Sequence, residues 1–224
     1  MRIVLRIGGS VVASPINAEL ISKYVALLKT LKETGHEVAV VVGGGSLARE
    51  LIAVGRRLDL DERAQDEIAI SVSRIFAQLF VAKLGEVSCG AVALTVDEVA
   101  DRLSKGKISV MGGLKPGMTT DAVAALIAER INANLLVKGT DQDGIYNKDP
   151  KKHGDAVKLD HLSYDDLANV LSEDKHRAGI HQIVDPVAVK ILKRKQIRLV
   201  VVNGFAPENT LAAVNEESVG TVIS

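Results

Sequence analysis

Residues 37–50 read EVAVVVGGGSLARE and carry a β-branched run directly into three glycines and the start of a helix. A continuous β-branched run predicts a strand that is buried on both faces, as in a parallel sheet. Glycine has no Cβ, so the backbone N–H groups of such a corner can approach a charged ligand closely. A corner between a strand and a helix N-terminus is suited to phosphate. One glycine would be enough for a tight turn, and three in a row therefore favour phosphate binding.

Two more glycine-rich corners follow predicted strands. Gly8-Gly9-Ser10 follows Ile3–Ile7, and residues 112–121, GGLKPGMTTD, follow Ile108–Met111. The first of these also fits a plain strand-ending turn. None of the corners has the spacing of the dinucleotide fingerprint or of a Walker A loop. Together the three corners predict that phosphate-bearing ligands are handled at neighbouring strand ends.

The corner at residues 112–121 has a structural interpretation beside the functional one. Pro116-Gly117 predicts a turn, and Thr119 or Thr120 is a suitable N-cap for the next helix. Asp121 then lies in the first turn, where the helix dipole favours an acid. The functional interpretation adds hydroxyl and N–H groups that converge on an anion, and the two are compatible.

Apolar periodicity predicts strands that alternate with helices along the whole chain. The predicted strands are Ile3–Ile7, Glu37–Val42, Val87–Leu94, Ile108–Met111, Leu135–Lys138, Ile197–Asn203 and Val219–Ile223. The predicted helices are Asn17–Thr34, Ser46–Leu58, Asp61–Leu84, Asp97–Lys105, Thr119–Ile131, Tyr164–Glu173, Asp185–Lys195 and Glu208–Asn215. This order predicts an α/β fold, a three-layer α/β/α sandwich around an open, mainly parallel sheet. Ligands of such sheets bind outside the carboxyl ends of the strands.

Composition limits the class of protein. The 224 residues are 47% hydrophobic and 3% aromatic, and 28 basic side chains balance 28 acidic ones. Zero net charge argues against nucleic-acid or membrane binding through bulk charge, but it allows a small anionic ligand. No uninterrupted apolar stretch reaches the ~18 residues that span a bilayer, and the single cysteine, Cys89, is expected to be a buried thiol. We therefore expect a cytoplasmic protein of one domain, or of two closely packed lobes that divide within residues 140–160.

The loop at residues 140–150, TDQDGIYNKDP, is open to several interpretations. Asp141, Asp143 and Asp149 follow a predicted strand, but the spacing of an EF-hand calcium loop is missing. A Mg²⁺–nucleotide complex fits better, with Tyr146 available to lie against a base. Lys190, on a basic helix, either reaches a phosphate or belongs to a solvated face.

Five segments, taken in order, resemble those of one known family. They are RIVLRIGGSV at 2–11, EVAVVVGGGSLAR at 37–49, ISVMGGLKPGMTTDAVAALIAE at 108–129, LLVKGTDQDGIYNKDPKK at 135–152 and VDPVAVKIL at 184–192. The chain resembles the amino acid kinase superfamily over essentially its full length, and most closely the archaeal-type uridylate (UMP) kinases.

The resemblance implies phosphoryl transfer from ATP to UMP, which gives ADP and UDP in pyrimidine nucleotide (CTP) biosynthesis. It also implies Mg²⁺, a homohexamer built from dimers, and a single domain that binds UMP mainly through residues 1–135 and ATP mainly through residues 136–224. Acetylglutamate and isopentenyl phosphate kinases of the same fold remain alternatives, as does a nucleotide sensor without catalytic activity.

The resemblance also assigns roles to individual positions. The residues expected to bind ATP are Gly9, Ser10, Gly45, Arg49, Thr140, Asp141, Tyr146 and Asp149. Those expected to bind UMP are Gly44, Asp66, Leu114, Lys115, Pro116, Gly117, Met118, Thr119 and Thr120. Arg6 and Arg49 are the expected catalytic cations, and no residue is assigned as a metal ligand.

Two positions depart from the family pattern. Many relatives have Lys where this chain has Arg6, and the common loop TNVDGVY is TDQDGIY here, with Asp141 in place of an amide. Arginine keeps the charge but changes the hydrogen-bond geometry.

Overall fold

The structure is a computed structural model that describes residues 1–174 and 184–224, with only the backbone described at 171–174. Its strands are β1 Arg2–Ile7, β2 Glu37–Val42, β3 Ser109–Met111, β4 Leu135–Thr140, β5 Ile145–Tyr146, β6 Lys158–Leu159, β7 His161–Leu162, β8 Arg198–Asn203 and β9 Thr221–Ile223. Its α-helices are α1 Gly9–Val12, α2 Ala18–Glu33, α3 Gly45–Arg57, α4 Glu62–Leu84, α5 Val96–Ser104, α6 Thr120–Arg130, α7 Tyr164–Asp174, α8 Pro186–Lys195 and α9 Glu208–Val214.

Seven of the strands in the described residues form one sheet, in the order β3-β2-β1-β4-β8-β9-β7. The first five strands of that order are parallel, and β9 runs antiparallel to β8. Because β1, β2 and β3 are parallel neighbours, all three glycine corners emerge at the same edge of the sheet. This carboxyl edge is where ligands of open α/β sheets bind.

Both faces of the sheet are covered. On one face, alternate residues of β1 and β2 pack with α2 and α4 in one apolar cluster. On the other face, the intervening residues pack with α5, α6 and α8 in a second cluster. The α/β/α sandwich with a mainly parallel sheet is therefore confirmed.

Side-chain caps fix where several helices begin. Asn17, Asp61, Thr95, Thr119 and Asp185 each accept a hydrogen bond from a backbone N–H in the first turn of the helix that follows. Such caps satisfy donors that have no partner within the helix. Of the two threonines that the sequence offers before α6, Thr119 is the cap.

The segment between α4 and α5 differs from its prediction. Val87–Leu94 is not a strand, and it pairs with the sheet only through single bridges at Ser88 and Ala93. Gly90 adopts a φ of +71° between these bridges, which interrupts the extended backbone. The prediction that Cys89 is buried is also wrong, because its thiol lies on this irregular, exposed segment.

Helix α4 has the length and composition of a membrane-crossing helix. Of the helices in the described residues, it alone meets those criteria, over Glu62–Val87 with a mean hydropathy of 1.5. Arg74 and Lys83 interrupt its apolar sequence, and Phe76 and Phe80 are buried against the sheet. A core helix that packs on a sheet meets the same criteria, so the feature is weak support for a membrane span.

Candidate active site

The first glycine corner, Gly8–Ser10 after β1, touches the second, Gly43–Gly45 after β2. A Cβ placed on Gly9 would lie 2.1 Å from the backbone N of Gly45 and 2.9 Å from the carbonyl carbon of Gly43. Gly45 has a φ of +65°, a conformation that glycine adopts without strain. The backbones after β1 and β2 are therefore in direct contact, which only residues without a Cβ permit.

Hydrogen bonds anchor these corners to the sheet. The N–H of Gly43 donates to the carbonyl of Ile7 at 3.1 Å, and the N–H of Gly8 donates to the carbonyl of Gly139 at 2.9 Å. Hydrogen bonds thus link the end of β2 to the end of β1, and the end of β1 to the end of β4, along the carboxyl edge of the sheet. Ser10 lies in the first turn of α1, directly beyond the contact.

A cluster of charged side chains lies beside the corners on the α6 face. Nε of Arg6 lies 2.8 Å from Oδ1 of Asp121, an ion pair without hydrogen-bond alignment. Nη2 of Arg6 donates to the hydroxyl of Thr120 at 3.0 Å. The ammonium of Lys138 donates to the other carboxylate oxygen of Asp121. Asp121 therefore bridges two cations from adjacent strands.

The environment of this cluster keeps Asp121 charged. Burial opposes its ionisation, but the Arg6 guanidinium and the Lys138 ammonium outweigh burial and hold the pKa of the Asp121 carboxyl below its usual range. Burial lowers the pKa of the Lys138 ammonium, and the Asp121 carboxylate opposes that shift. A carboxylate that is ionised and nearly enclosed beside a phosphate-type corner is typical of a functional site.

A cavity of about 380 Å³ opens on the other side of these corners, between α3, α4 and the third glycine corner, residues 112–121 after β3. Its lining residues are Gly44, Ala48, Arg49, Ile52, Asp66, Ala69, Ile70, Ser73, Gly113, Lys115, Met118, Thr119 and Thr120. The walls are mainly apolar, with one carboxylate and two cationic side chains. A cavity of this size and lining suits a small anionic ligand with a polar ring or sugar.

Helix α4 holds the third corner in place through three polar side chains. Oδ2 of Asp66 accepts from the N–H of Gly117 at 2.6 Å. Nε of Arg74 donates to the carbonyl of Gly113 at 3.1 Å, and the hydroxyl oxygen of Ser73 accepts from the N–H of Gly113 at 2.7 Å. The turn that roofs the cavity is thus tied to a regular helix.

Comparison with known proteins gives the family. Residues 1–203 match the model of the amino acid kinase family. The chain belongs to the amino acid kinase family. A uridylate kinase of Methanocaldococcus jannaschii is 44% identical over 225 residues, covering 100% of this chain and 99% of the relative.

Solved structures of the family have the same architecture. The crystal structure of a uridylate kinase from Archaeoglobus fulgidus is 39% identical, covers 100% of both chains and superimposes with a TM-score of 0.89. A UMP kinase from Bacillus anthracis superimposes with a TM-score of 0.82 at 20% identity, over 100% of this chain and 95% of that chain. The second likeness supports the fold alone.

Within this family fold, the structure brings together most of the residues predicted to bind UMP. Gly44, Asp66, Lys115, Met118, Thr119 and Thr120 line the cavity, and Arg49 joins them. Leu114, Pro116 and Gly117 belong to the same turn, but they support it from outside the cavity lining. The carbonyl of Leu114, for instance, accepts from Nη2 of Arg74 at 3.1 Å.

The residues predicted to bind ATP lie along the edge from the corners to the segment after β4. Thr140 ends β4, and its hydroxyl donates to Asp141 at 3.2 Å. Asp141 also pairs with Lys151 at 3.1 Å. Asp149 accepts from the N–H of Lys151 at 3.0 Å, and half-buried Tyr146 lies in β5. Gly9, Ser10 and Gly45 lie at the corners rather than in this loop.

Sequence reasoning missed several residues that shape the site. Lys138, Ser73, Arg74 and Asp185 were not singled out, and Asp121 was interpreted only through the helix dipole. Oδ2 of Asp185 accepts from the hydroxyl of Thr119 at 2.5 Å, which links α8 to the third corner. A detectable signal existed for Lys138, since a lysine inside the apolar run LLVKGT breaks the pattern of a buried strand. Lys190 is exposed on α8.

Proposed function

We propose that this chain is a UMP kinase that transfers the γ-phosphoryl group of ATP to UMP and releases ADP and UDP, as a step of pyrimidine nucleotide biosynthesis. The observation that carries the proposal is the direct contact of the first and second glycine corners. These corners lie between the cavity and the loop after β4, residues 140–150. Two phosphate tails bound from opposite sides would meet there. Full-length relatives named uridylate kinase support the same substrate.

The chemistry needs positioning and neutralisation of charge more than covalent help from the protein. Backbone N–H groups of the corners are suited to donate to the phosphates, and the Arg6 and Arg49 side chains offset the charge of the transferred group. The acceptor is a phosphate oxygen that is already deprotonated at neutral pH. No general base is therefore assigned.

On the acceptor side, we expect Asp66 to accept from the ribose hydroxyls of UMP; its carboxylate also accepts from the N–H of Gly117. Gly44 and the segment Leu114–Thr120 would contact the rest of UMP. On the donor side, Thr140, Asp141, Tyr146 and Asp149 hold the adenine nucleotide, and Gly9, Ser10 and Gly45 contact its phosphates. This assignment divides the domain into a UMP-binding part, mainly residues 1–135, and an ATP-binding part, mainly residues 136–224.

The residues present fit a Mg²⁺ ion that arrives with the nucleotide. Among the described residues, no three His, Cys, Asp or Glu side chains are grouped closely enough to hold a metal ion by themselves. Mg²⁺ in phosphoryl-transfer sites is held mostly by substrate phosphates and water, with one or two carboxylates. Asp141, which is partly exposed at the donor side, would be the carboxylate that contributes. When bound, Mg²⁺ supplies charge neutralisation at the phosphates.

We further propose that the enzyme is cytoplasmic and assembles as a homohexamer. These two properties rest on the family resemblance. Zero net charge agrees with a role that involves neither nucleic acid nor a membrane surface.

A nucleotide sensor without catalytic activity is the second candidate. The observation that favours it is that Arg6 and Asp141, the two departures from the family pattern, are both held in ion pairs within the chain. In the sensor, these pairs would stay closed when nucleotides bind.

A coupled assay that measures ADP release tests the proposal. The chain is supplied with ATP and Mg²⁺ and with UMP, CMP, isopentenyl phosphate or acetylglutamate in turn. We expect turnover with UMP at the highest kcat/KM of the four. Nucleotide binding without any turnover would favour the sensor, and preference for another acceptor would replace UMP as the substrate.

A further inference from the structure

Two basic side chains occupy directly opposite positions on the central strands. Arg6 of β1 and Lys138 of β4 are register partners in the parallel pair. Their side chains are only 17% and 7% exposed, and they point to the same face as Val4 and Leu136. Like charges on adjacent strands destabilise a sheet, and desolvation makes a buried cation costly. Packing alone does not explain this arrangement, and such local conflicts concentrate at functional sites.

Asp121 makes the arrangement possible. Its carboxylate lies between the two cations, with Oδ1 toward Arg6 and Oδ2 toward Lys138. The groups that act on it are Arg6 from β1, Lys138 from β4 and Asp185 at the start of α8. The Thr120 hydroxyl at the start of α6 accepts from Arg6 instead. Lys138 thus holds one carboxylate oxygen of Asp121. Arg6 pairs with the other oxygen through Nε, and its two terminal nitrogens remain directed toward the glycine corners.

Arg6 is the cation that extends toward the glycine corners. A Cβ on Gly8 would lie 2.9 Å from Nη1 of Arg6, and a Cβ on Gly43 would lie 3.7 Å from Nη2. Nη2 also donates to Thr120, which lines the acceptor cavity. The guanidinium therefore lies where the first corner, the second corner and the cavity come together. The Lys138 ammonium lies behind it, across the Asp121 carboxylate.

We infer that Lys138 is a positioning residue, which fixes the Asp121 carboxylate and through it orients the Arg6 guanidinium toward the phosphoryl group that passes between the corners. This inference rests on the proposed function and adds a residue that the family pattern did not assign. A purely structural role is the competing explanation. It is the weaker one because a buried ion pair can often be replaced by apolar side chains without loss of stability.

The test compares Lys138→Met, which keeps the length of the side chain and removes its charge, with Leu136→Met as a control. Leu136 is buried on the same face of the same strand. We expect Lys138→Met to lower kcat about 10- to 100-fold while KM for UMP changes less than about threefold, because misplacement near the reacting atoms costs rate. Leu136→Met should keep the kcat of the unaltered chain. If Lys138→Met does not fold, Lys138→Gln takes its place; its amide keeps a donor but removes the charge, so the expected loss of kcat is smaller, about threefold to tenfold.

Two further measurements separate positioning from the alternatives. In the Arg6→Met background, Lys138→Met should have no further effect on kcat, because its effect passes through Arg6. NMR titration of the Asp121 carboxyl should give a higher pKa in Lys138→Met than in the unaltered chain, because a neighbouring cation has been removed.

Unchanged kcat per folded molecule, or an unchanged Asp121 titration, would overturn the inference and leave Lys138 a structural residue. Losses that multiply in the double variant would overturn it as well, since Lys138 would then act on the substrate directly. Absence of UMP phosphorylation by the unaltered chain would instead refute the proposed function. The titration would still show in that case whether Lys138 controls Asp121.

Discussion

Replacing Gly9 with alanine tests the contact of the two corners most directly. The added Cβ would lie 2.1 Å from the N of Gly45, roughly 1.3 Å closer than the 3.4 Å at which ordinary van der Waals contact begins. The neighbouring atoms are backbone and cannot rotate away, so the two corners must separate. Overpacking of this kind costs about 1–3 kcal/mol, which lowers the melting temperature of a domain of this size by about 2–12 °C.

The effect on activity should be larger than the effect on stability. A displacement of about 1 Å at a phosphoryl-transfer site reduces the rate about 100-fold. Differential scanning fluorimetry and the coupled ADP assay measure the two effects on the same preparation. Gly154→Ala is the matched control, since a Cβ on Gly154 meets nothing within 4 Å. If Gly9→Ala melts and turns over like the unaltered chain, the corners do not need their contact and the reasoning is refuted.

Three more variants test other parts of the site. Arg49→Ala removes a cation from the cavity wall and should lower kcat at least about tenfold in steady-state assays; unchanged kinetics would reject its catalytic role. Asp66→Ala removes the carboxylate that anchors Gly117, so UMP affinity measured by isothermal titration calorimetry should fall about ten- to hundredfold, and full affinity would remove Asp66 from the site. Asp121→Asn should be less stable than the unaltered chain at about pH 7. Since Arg6 and Lys138 outweigh burial and lower the pKa of Asp121 in the folded state, its carboxylate stabilises the fold above the unfolded value of 3.8, and that contribution is lost as the pH falls through the folded value. Urea unfolding should therefore show a difference in unfolding free energy between Asp121→Asn and the unaltered chain that is smaller at about pH 3 than at about pH 7, and an equal difference at both pH values would contradict the charge argument.

Much of the fold was predictable because its signals are local. The β-branched run of β2 and the caps Asn17, Asp61 and Thr119 are each read within a few residues. From parallel strands it follows that the three corners share one edge. Val87–Leu94 was mispredicted because its alternating apolar residues resemble a strand, whereas the conformation of Gly90 breaks it. The two-residue strand β7 is too short to show a period.

Less of the candidate site was predictable, because its contacts join distant parts of the chain. The third corner is about 40 residues from Ser73, which accepts a hydrogen bond from Gly113, and from Arg74, which donates one to Gly113. In sequence, neither side chain differs from an ordinary polar residue on a helix. The bridge at Asp121 depends on the register of β1 with β4. The family resemblance supplied the positions of the expected ligand-binding residues, but it assigned no role to Lys138.

The strand order also bears on how the protein is made. β1 is synthesised before the other strands of the sheet in the described residues, yet one of its two neighbours, β4, begins at Leu135. Until Leu135–Thr140 has been synthesised, the backbone of Arg2–Ile7 is unpaired on that side and is open to pairing with strands of other molecules. The centre of the sheet can therefore form only after a distant segment has been synthesised. This separation predicts slow folding and a need to protect β1 from other molecules until β4 pairs with it.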